Sequence, residues 1–283
     1  MDIQIRVIVG LLVSLLLYPS ASYAGPLDID VLRGVPVKAG DYSWQVALVR
    51  GGTTAETGAF CGGTLVSPEW VLTAAHCFYT NNCETEVTTK KFWVGYGSIR
   101  LKDLQTRYAV KVIEAPGYTC GKFVNDIALV QLDQAIENMG VVELAGQGDE
   151  AAFAADGQEL YVAGWGATGP GAKRSADLLE AAVTVVPMAI CNGTGQYNGA
   201  VPANALCANK PGVDACTGDS GGPLVRRGGP GLPFMQVAVV SHGEGCGLRE
   251  RPGVYSRIAP HRDWIRQTIA MRCTPALVAA RRC

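Results

Sequence analysis

The chain has 283 residues, of which 48% are hydrophobic, enough to bury one large domain or two small barrels that share an interface. Its formal net charge is −1 and it holds no long basic run, which argues against nucleic acid or an anionic membrane as a partner. The 35 glycines and the scarcity of helical periodicity favour many short strands joined by turns.

In chain order, Arg6 precedes an apolar run from Val7 to Leu17, and small residues at Ser22 and Ala24 flank Tyr23. That pattern reads as a secretory signal over residues 1–24, cleaved after Ala24 and too short to span a bilayer. Strand signals follow in "SWQVALVR", "CGGTLVSPEWVLTA", "KFWVGYG", "RYAVKVIEA" and "DIALVQL", separated by Gly, Asn and Thr. A looser Ala/Gly stretch from Leu144 to Gly157 interrupts them. Strands resume in "ELYVAGWGA", "LLEAAVTVV", "GGPLVRR", "FMQVAVVSHG" and "GVYSRI", so two β-units join near residue 145. In "APHRDWIRQTIAMR" the spacing of Trp264, Ile265 and Ile269 predicts a terminal helix.

All ten cysteines lie after the signal, and an even count in an exported chain implies disulfides. No CxxC pair occurs and there are only three histidines, so the spacing does not suit zinc.

The stretch "DACTGDSGGPL", Asp214 to Leu224, sets a serine between an acid and two glycines. A serine hydroxyl is a poor nucleophile until a base takes its proton. Of the histidines, His261 falls on the polar face of the terminal helix and reads as a surface residue, while His242 lies at a strand end. His76 ends an apolar strand directly before Cys77, where a disulfide would hold the backbone beside the imidazole. Asp126, just before an apolar strand, offers the carboxylate that a catalytic imidazole needs on its far nitrogen. The chain order is His76, Asp126, Ser220, which is neither the subtilisin nor the α/β-hydrolase order.

With "LTAAHC", "DIALVQL", "VAGWG", "DACTGDSGGPLV" and "RPGVYSRI" in order, the chain from Val31 to about Ile269 resembles the trypsin-like serine proteases of the chymotrypsin family. The resemblance implies an all-β fold of two antiparallel six-stranded barrels, over residues 31–145 and 146–270, with the active site between them, a C-terminal helix, and a tail at 271–283. It implies Ser220 as nucleophile, His76 as general base and then acid, Asp126 as orienting group, and the Gly218 and Ser220 N–H groups as oxyanion hole. Asp214 would form the base of a specificity pocket for Arg or Lys, with Gly243 and Gly253 keeping its walls open. Ala215 replaces a serine common beside that acid, which disfavours the compact Lys ammonium more than the Arg fork. His242 stands where the family usually has Trp, beside Ser241 in the outer subsites, with Phe123 lining the same region.

Activation in the family frees an apolar N-terminus that pairs with the acid before the serine, here Asp219. The matching residue is Val31, after a short propeptide at 25–30 that ends in Asp30 rather than Arg or Lys, so a trypsin-like activator is not expected. Disulfides Cys61–Cys77, Cys191–Cys207 and Cys216–Cys246 match family pairs. Three connectivities remain open for Cys83, Cys120, Cys273 and Cys283, and the first two fall in loops flanking the cleft, which favours their pairing. The segment around Asp103 is too poor in acids for the calcium site of some relatives, so no metal or cofactor is expected. Expected partners are protein or peptide substrates with Arg or Lys and protein protease inhibitors, met by a monomer. The rival expectation, a non-catalytic homologue acting as a binding module, usually goes with a lost triad residue, and here all three are kept.

Overall fold

The computed structural model describes residues 34–80, 83, 85–212, 214–228 and 233–270. The expected signal, Val31, Cys273 and Cys283 lie outside the described residues. The strands are β1 (Val35–Pro36), β2 (Gln45–Arg50), β3 (Ala59–Ser67), β4 (Trp70–Thr73), β5 (Tyr79–Thr80), β6 (Thr85–Glu86), β7 (Phe92–Tyr96), β8 (Gln105–Glu114) and β9 (Ala128–Leu132). After them come β10 (Glu143–Leu144), β11 (Glu159–Gly164), β12 (Leu179–Val186), β13 (Ala205–Asn209), β14 (Pro223–Arg226), β15 (Met235–His242) and β16 (Gly253–Arg257), and the helices are α1 (Ala55–Gly58), α2 (Gln147–Phe153), α3 (Met188–Cys191) and α4 (Arg262–Ala270).

Strands β2-β3-β4-β9-β8-β7 close into an antiparallel barrel. A second barrel runs β12-β11-β14-β15-β16-β13 and closes through β12–β13. Strand β1 pairs with the edge of β12, so the start of the described chain is held against the second barrel. Strand β10 adds in parallel to β15, and β5 with β6 makes a separate short hairpin. Closing both sheets removes the exposed edges that short apolar strands would otherwise present.

Leu48, Leu65, Leu72 and Leu129 are fully buried in the first barrel, and Leu160, Val183, Leu224 and Val237 in the second. Each contributes about 2 kcal/mol of apolar burial. The barrels meet at glycines. A Cβ on Gly62 of β3 would lie 3.1 Å from the Gly222 Cα in the other barrel. Polar pairs cross the same seam. The Gly62 N–H donates to the Ser220 carbonyl at 2.7 Å, and the Thr64 hydroxyl donates to Gln236 Oε1 at 2.8 Å. Buried groups of this kind are costly unless paired, so they fix one register of barrel on barrel.

Three features depart from the sequence expectations. Strand β13 was not among the expected strands. The Ala/Gly stretch after Leu144 contains helix α2 (Gln147–Phe153), opened by the Asp149 carboxylate accepting the Gly146 N–H at 2.9 Å. Its Glu150 is buried and ion-paired with Arg257. The terminal helix α4 (Arg262–Ala270) forms, with Ile265 buried and Trp264 and Ile269 packed on the core. A 3-10 turn, Ala259–His261, precedes it and rotates His261 inward, so His261 is buried against Asn204 rather than at the surface.

Among the described residues, four disulfides join Cys61 to Cys77, Cys83 to Cys120, Cys191 to Cys207 and Cys216 to Cys246. The first ties the turn bearing His76 to β3, and the second ties the loop after that turn to the loop before Asp126.

Candidate active site

A cleft of about 1190 Å³ lies between the barrels and is lined by His76, Phe123, Asp214, Gly218, Ser220 and His242, among others. The first barrel supplies His76 on a 3-10 turn, Ala75–Phe78, directly after β4. It also supplies Asp126, just ahead of β9. Asn125 adopts a left-handed conformation, φ +54°, which turns the chain so that the Asp126 carboxylate points under the imidazole.

Asp126 is fully buried. The His76 Nδ1–H donates to its Oδ2 at 2.8 Å, and the His76 backbone N–H donates to its Oδ1 at 2.8 Å. The Ser241 hydroxyl donates to Oδ2 at 2.5 Å. Burial pushes this carboxyl up, but the His76 charge and the donated hydrogen bonds outweigh it and hold the pKa below its ordinary value. The ring is thereby fixed with its proton on Nδ1 and its other nitrogen free for chemistry.

Ser220 comes from the second barrel, on the turn ahead of β14. Gly218 has φ +101° and Gly221 φ +78°. A Cβ on Gly221 would fall 2.2 Å from Thr73 Oγ1, so glycine is required both for its conformation and for its space. Among the described residues, the N–H groups of Gly218 and Ser220 donate to no other group. They are two free donors flanking the serine. The Ser220 hydroxyl shares the cleft with His76 without a hydrogen bond between them.

Asp214 lies at the bottom of one arm of the cleft, 3% exposed. Its Oδ2 accepts the Gly247 N–H at 3.2 Å, its Oδ1 makes no hydrogen bond of ordinary geometry, and the Tyr255 hydroxyl stands close enough to the carboxyl to favour its charged form. Burial pushes its pKa up from 3.8 to about 7, against the backbone hydrogen bonds that lower it. A Cβ on Gly253 would lie 2.9 Å from Oδ1 and 3.0 Å from the Tyr255 hydroxyl, so any larger residue would fill the arm. A Cβ on Gly243 would come within 3.8 Å of the Gly253 Cα, an ordinary contact across the same arm. Ala215 lines this arm without a hydroxyl.

Asp219 is buried beneath the serine turn. The Gly166 N–H donates to its Oδ1 at 2.8 Å and the Cys216 N–H to its Oδ2 at 2.9 Å. Burial raises its pKa to about 6, opposed by those bonds and by the Arg174 charge. A Cβ on Gly164 would lie 2.0 Å from Asp219 Oδ1, and one on Gly166 2.4 Å from its Cγ. The two glycines around Trp165 therefore exist to admit this carboxylate.

On the outer side, Phe123 and His242 stack at 4.2 Å, and Phe123 meets the His76 ring edge-on at 5.8 Å. His242 Nδ1 lies 3.2 Å from Ser241 Oγ. The Ser241 proton is committed to Asp126, so the His242 Nδ1–H donates to Oγ. Burial holds the His242 pKa down to about 4, against the Asp126 charge, so this ring is neutral at physiological pH.

The fold thus brings His76, Asp126, Ser220, Gly218, Asp214, Ala215, Ser241, His242, Gly243, Gly253 and Phe123 to one cleft, with Asp219 directly beneath it. Sequence reading missed Thr73, Tyr255 and Arg174. Only the "GWG" of "VAGWG" signalled the Asp219 cradle. Cys61, His76 and Cys77 cluster, but both sulfurs are spent in a disulfide and offer no metal ligand. Asn192 clamps Val201, accepting its N–H at 3.0 Å and donating to its carbonyl at 3.1 Å.

No helix among the described residues is long and apolar enough to cross a membrane. Over 254 residues, 87% of this chain, the sequence is 34% identical to "Transmembrane protease serine 5" of Homo sapiens, and it spans 53% of that protein's length. The trypsin family model matches residues 31–265. On that match, and with two closed barrels enclosing one cleft, the chain belongs to the trypsin family.

Proposed function

We propose that the protein is a secreted serine endopeptidase that hydrolyses peptide bonds after Arg, and less well after Lys. His76 Nε2 takes the proton of Ser220 as its oxygen attacks the scissile carbonyl. The Gly218 and Ser220 N–H groups receive the oxygen of the tetrahedral intermediate. His76 then gives its proton to the leaving amine, and water repeats the sequence on the acyl-enzyme. Asp126 keeps the ring oriented and stabilises its cationic form. Residues 1–24 and the abundance of disulfides support export.

The half-paired carboxylate of Asp214 carries the specificity. A buried carboxylate this short of donors is expensive, and a substrate guanidinium supplies further donors and neutralises the charge. With Ala215 in place of a hydroxyl-bearing residue, the forked guanidinium is favoured over the ammonium. Activation follows cleavage after Asp30, and the freed Val31 amine pairs with the buried Asp219. Among the described residues, Arg174 is the cation whose charge acts on this carboxylate, which leaves room for a stronger one.

The test compares matched peptide amides ending in Arg, Lys or Phe, with Ser220→Ala alongside and the active N-terminus sequenced. Fast Arg cleavage, slower Lys cleavage, loss in the variant and a first residue of Val31 are expected. Phe preference would displace Asp214 from the pocket base. Faster Lys than Arg cleavage would remove the role given to Ala215.

A further inference from the structure

The cleft has a second arm that the proposed mechanism leaves unused. Arg50 ends β2 and faces Phe92 across the ladder, so the neighbouring Lys90 and Lys91 lie beside it. The Gly51 N–H closes this corner by donating to the Lys91 carbonyl at 2.8 Å. Arg50 Cζ sits 5.4 Å over the ring of Phe60, next in sequence to the Cys61 that is bonded to Cys77 beside His76. Arg50, Lys90 and Lys91 all line the cleft that holds Ser220. Arg174 reaches the same place from the second barrel, with its Nη1 3.6 Å from where a Cβ on Gly218 would stand. Burial and then the Arg50 charge lower the Arg174 pKa, against the Asp219 charge, so the two guanidinium groups feel one another.

Among the described residues, none of these four cations enters a salt bridge. Among the described residues that line the cleft, the one acid is Asp214, in the other arm. Positions 50, 90, 91 and 174 gather like charges, with Arg174 partly offset by the Asp219 charge, so their mutual repulsion costs folding energy and an anion held between them relieves it. If the residue before the scissile bond fills the Asp214 arm, the chain after that bond leaves past Cys61 and Phe60 towards Arg50.

We infer that Arg50, Lys90, Lys91 and Arg174 form a cationic rim that selects substrates with Asp or Glu in the first few residues after the scissile bond. This rests on cleavage after Arg as proposed above. The preferred substrate is then a junction of opposite charges, cation before the cut and anion after it, matching the two ends of the cleft.

The experiment uses the active protein and peptides alike in every residue except the second after the scissile bond, which is Glu, Gln or Lys. Each rate is divided by that of the same preparation on an Arg amide, which carries no residue after the cut. Exposed ion pairs are each worth a few-fold, so Glu should exceed Lys by about tenfold in kcat/KM at low salt, with Gln between. The spread should shrink at high salt. Arg50→Glu should compress or invert the order, and K90Q with K91Q should reduce it. Equal rates for the three peptides on an enzyme that cleaves the Arg amide would overturn the rim alone. Equal rates with heparin bound through Arg50 would assign the rim to a polyanion and overturn it as well. An Arg amide left uncut by material beginning at Val31 would overturn both the rim and the reading beneath it.

Discussion

On the proposed reading, Asp214 makes specificity depend on pH in a way that can be separated from catalysis. In the free protein its pKa stands near 7 because burial disfavours the charged form by more than the hydrogen bonds from Gly247, Ala215 and Tyr255 favour it. The rise from 3.8 to about 7 corresponds to about 4 kcal/mol held against the charged empty pocket. A carboxyl raised in the folded state is destabilising above its folded pKa, and that cost disappears as pH falls towards the unfolded value. A bound guanidinium cancels it. Between about pH 8 and about pH 6 the ionised fraction falls about tenfold for a group of this pKa. The kcat/KM for an Arg amide should therefore fall by that factor beyond any loss shared with a Phe amide. The ratio of the two kcat/KM values isolates Asp214. Asp214→Asn should flatten the ratio and lower it by about 10²–10⁴, the cost of a buried cation left unpaired. A ratio that stays level across this range in the unaltered protein, with Asn still abolishing Arg cleavage, would refute the argument from burial.

Other expectations follow from single contacts. Gly253→Ala should cost Arg cleavage at least about a hundredfold with little change in melting temperature, since its Cβ would meet the Asp214 oxygen at 2.9 Å. Ser241→Ala removes the 2.5 Å donor to Asp126 and should lower kcat about tenfold. It should also raise the pH of acid unfolding, because a depressed carboxyl pKa stabilises the fold above its ordinary value of 3.8 and that stability is lost as pH falls. Thr64→Val strands the Gln236 oxygen at the barrel seam and should cost about 1–3 kcal/mol in denaturant unfolding. Replacing Cys83 and Cys120 by serine opens a loop of 37 residues and should cost up to about 4 kcal/mol by chain entropy.

Chemistry was more legible in the sequence than packing. A nucleophile, its base and the pocket acid must be particular residues at particular turns, so "DACTGDSGGPL" and "LTAAHC" stand out however the rest varies. Strands rich in Val and Leu were also readable. Strand β13, "ALCAN", has weak strand propensity and exists because β12 and β16 flank it. Helix α2 was hidden by glycines at 146 and 148, and is held by the Asp149 cap and the Glu150–Arg257 pair, the second of which spans 107 residues. His261 was misplaced because a 3-10 turn shifts the phase ahead of α4, which periodicity alone does not reveal. The cationic rim was invisible for a different reason. Its members are scattered in sequence and converge only when both barrels have closed.

The hydrogen bond from Gly62 to the Ser220 carbonyl means that the serine is anchored by the jaw opposite the one that carries it. His76 and Asp126 belong to that opposite jaw. Line-up of the three groups is thus a property of the joint rather than of either barrel. Thermal breathing at the joint would slide serine past imidazole while both barrels were still intact. Turnover then acts as a strain gauge, fading on warming before any spectroscopic sign of melting, and a ligand that braces the joint would extend the working temperature without touching either core.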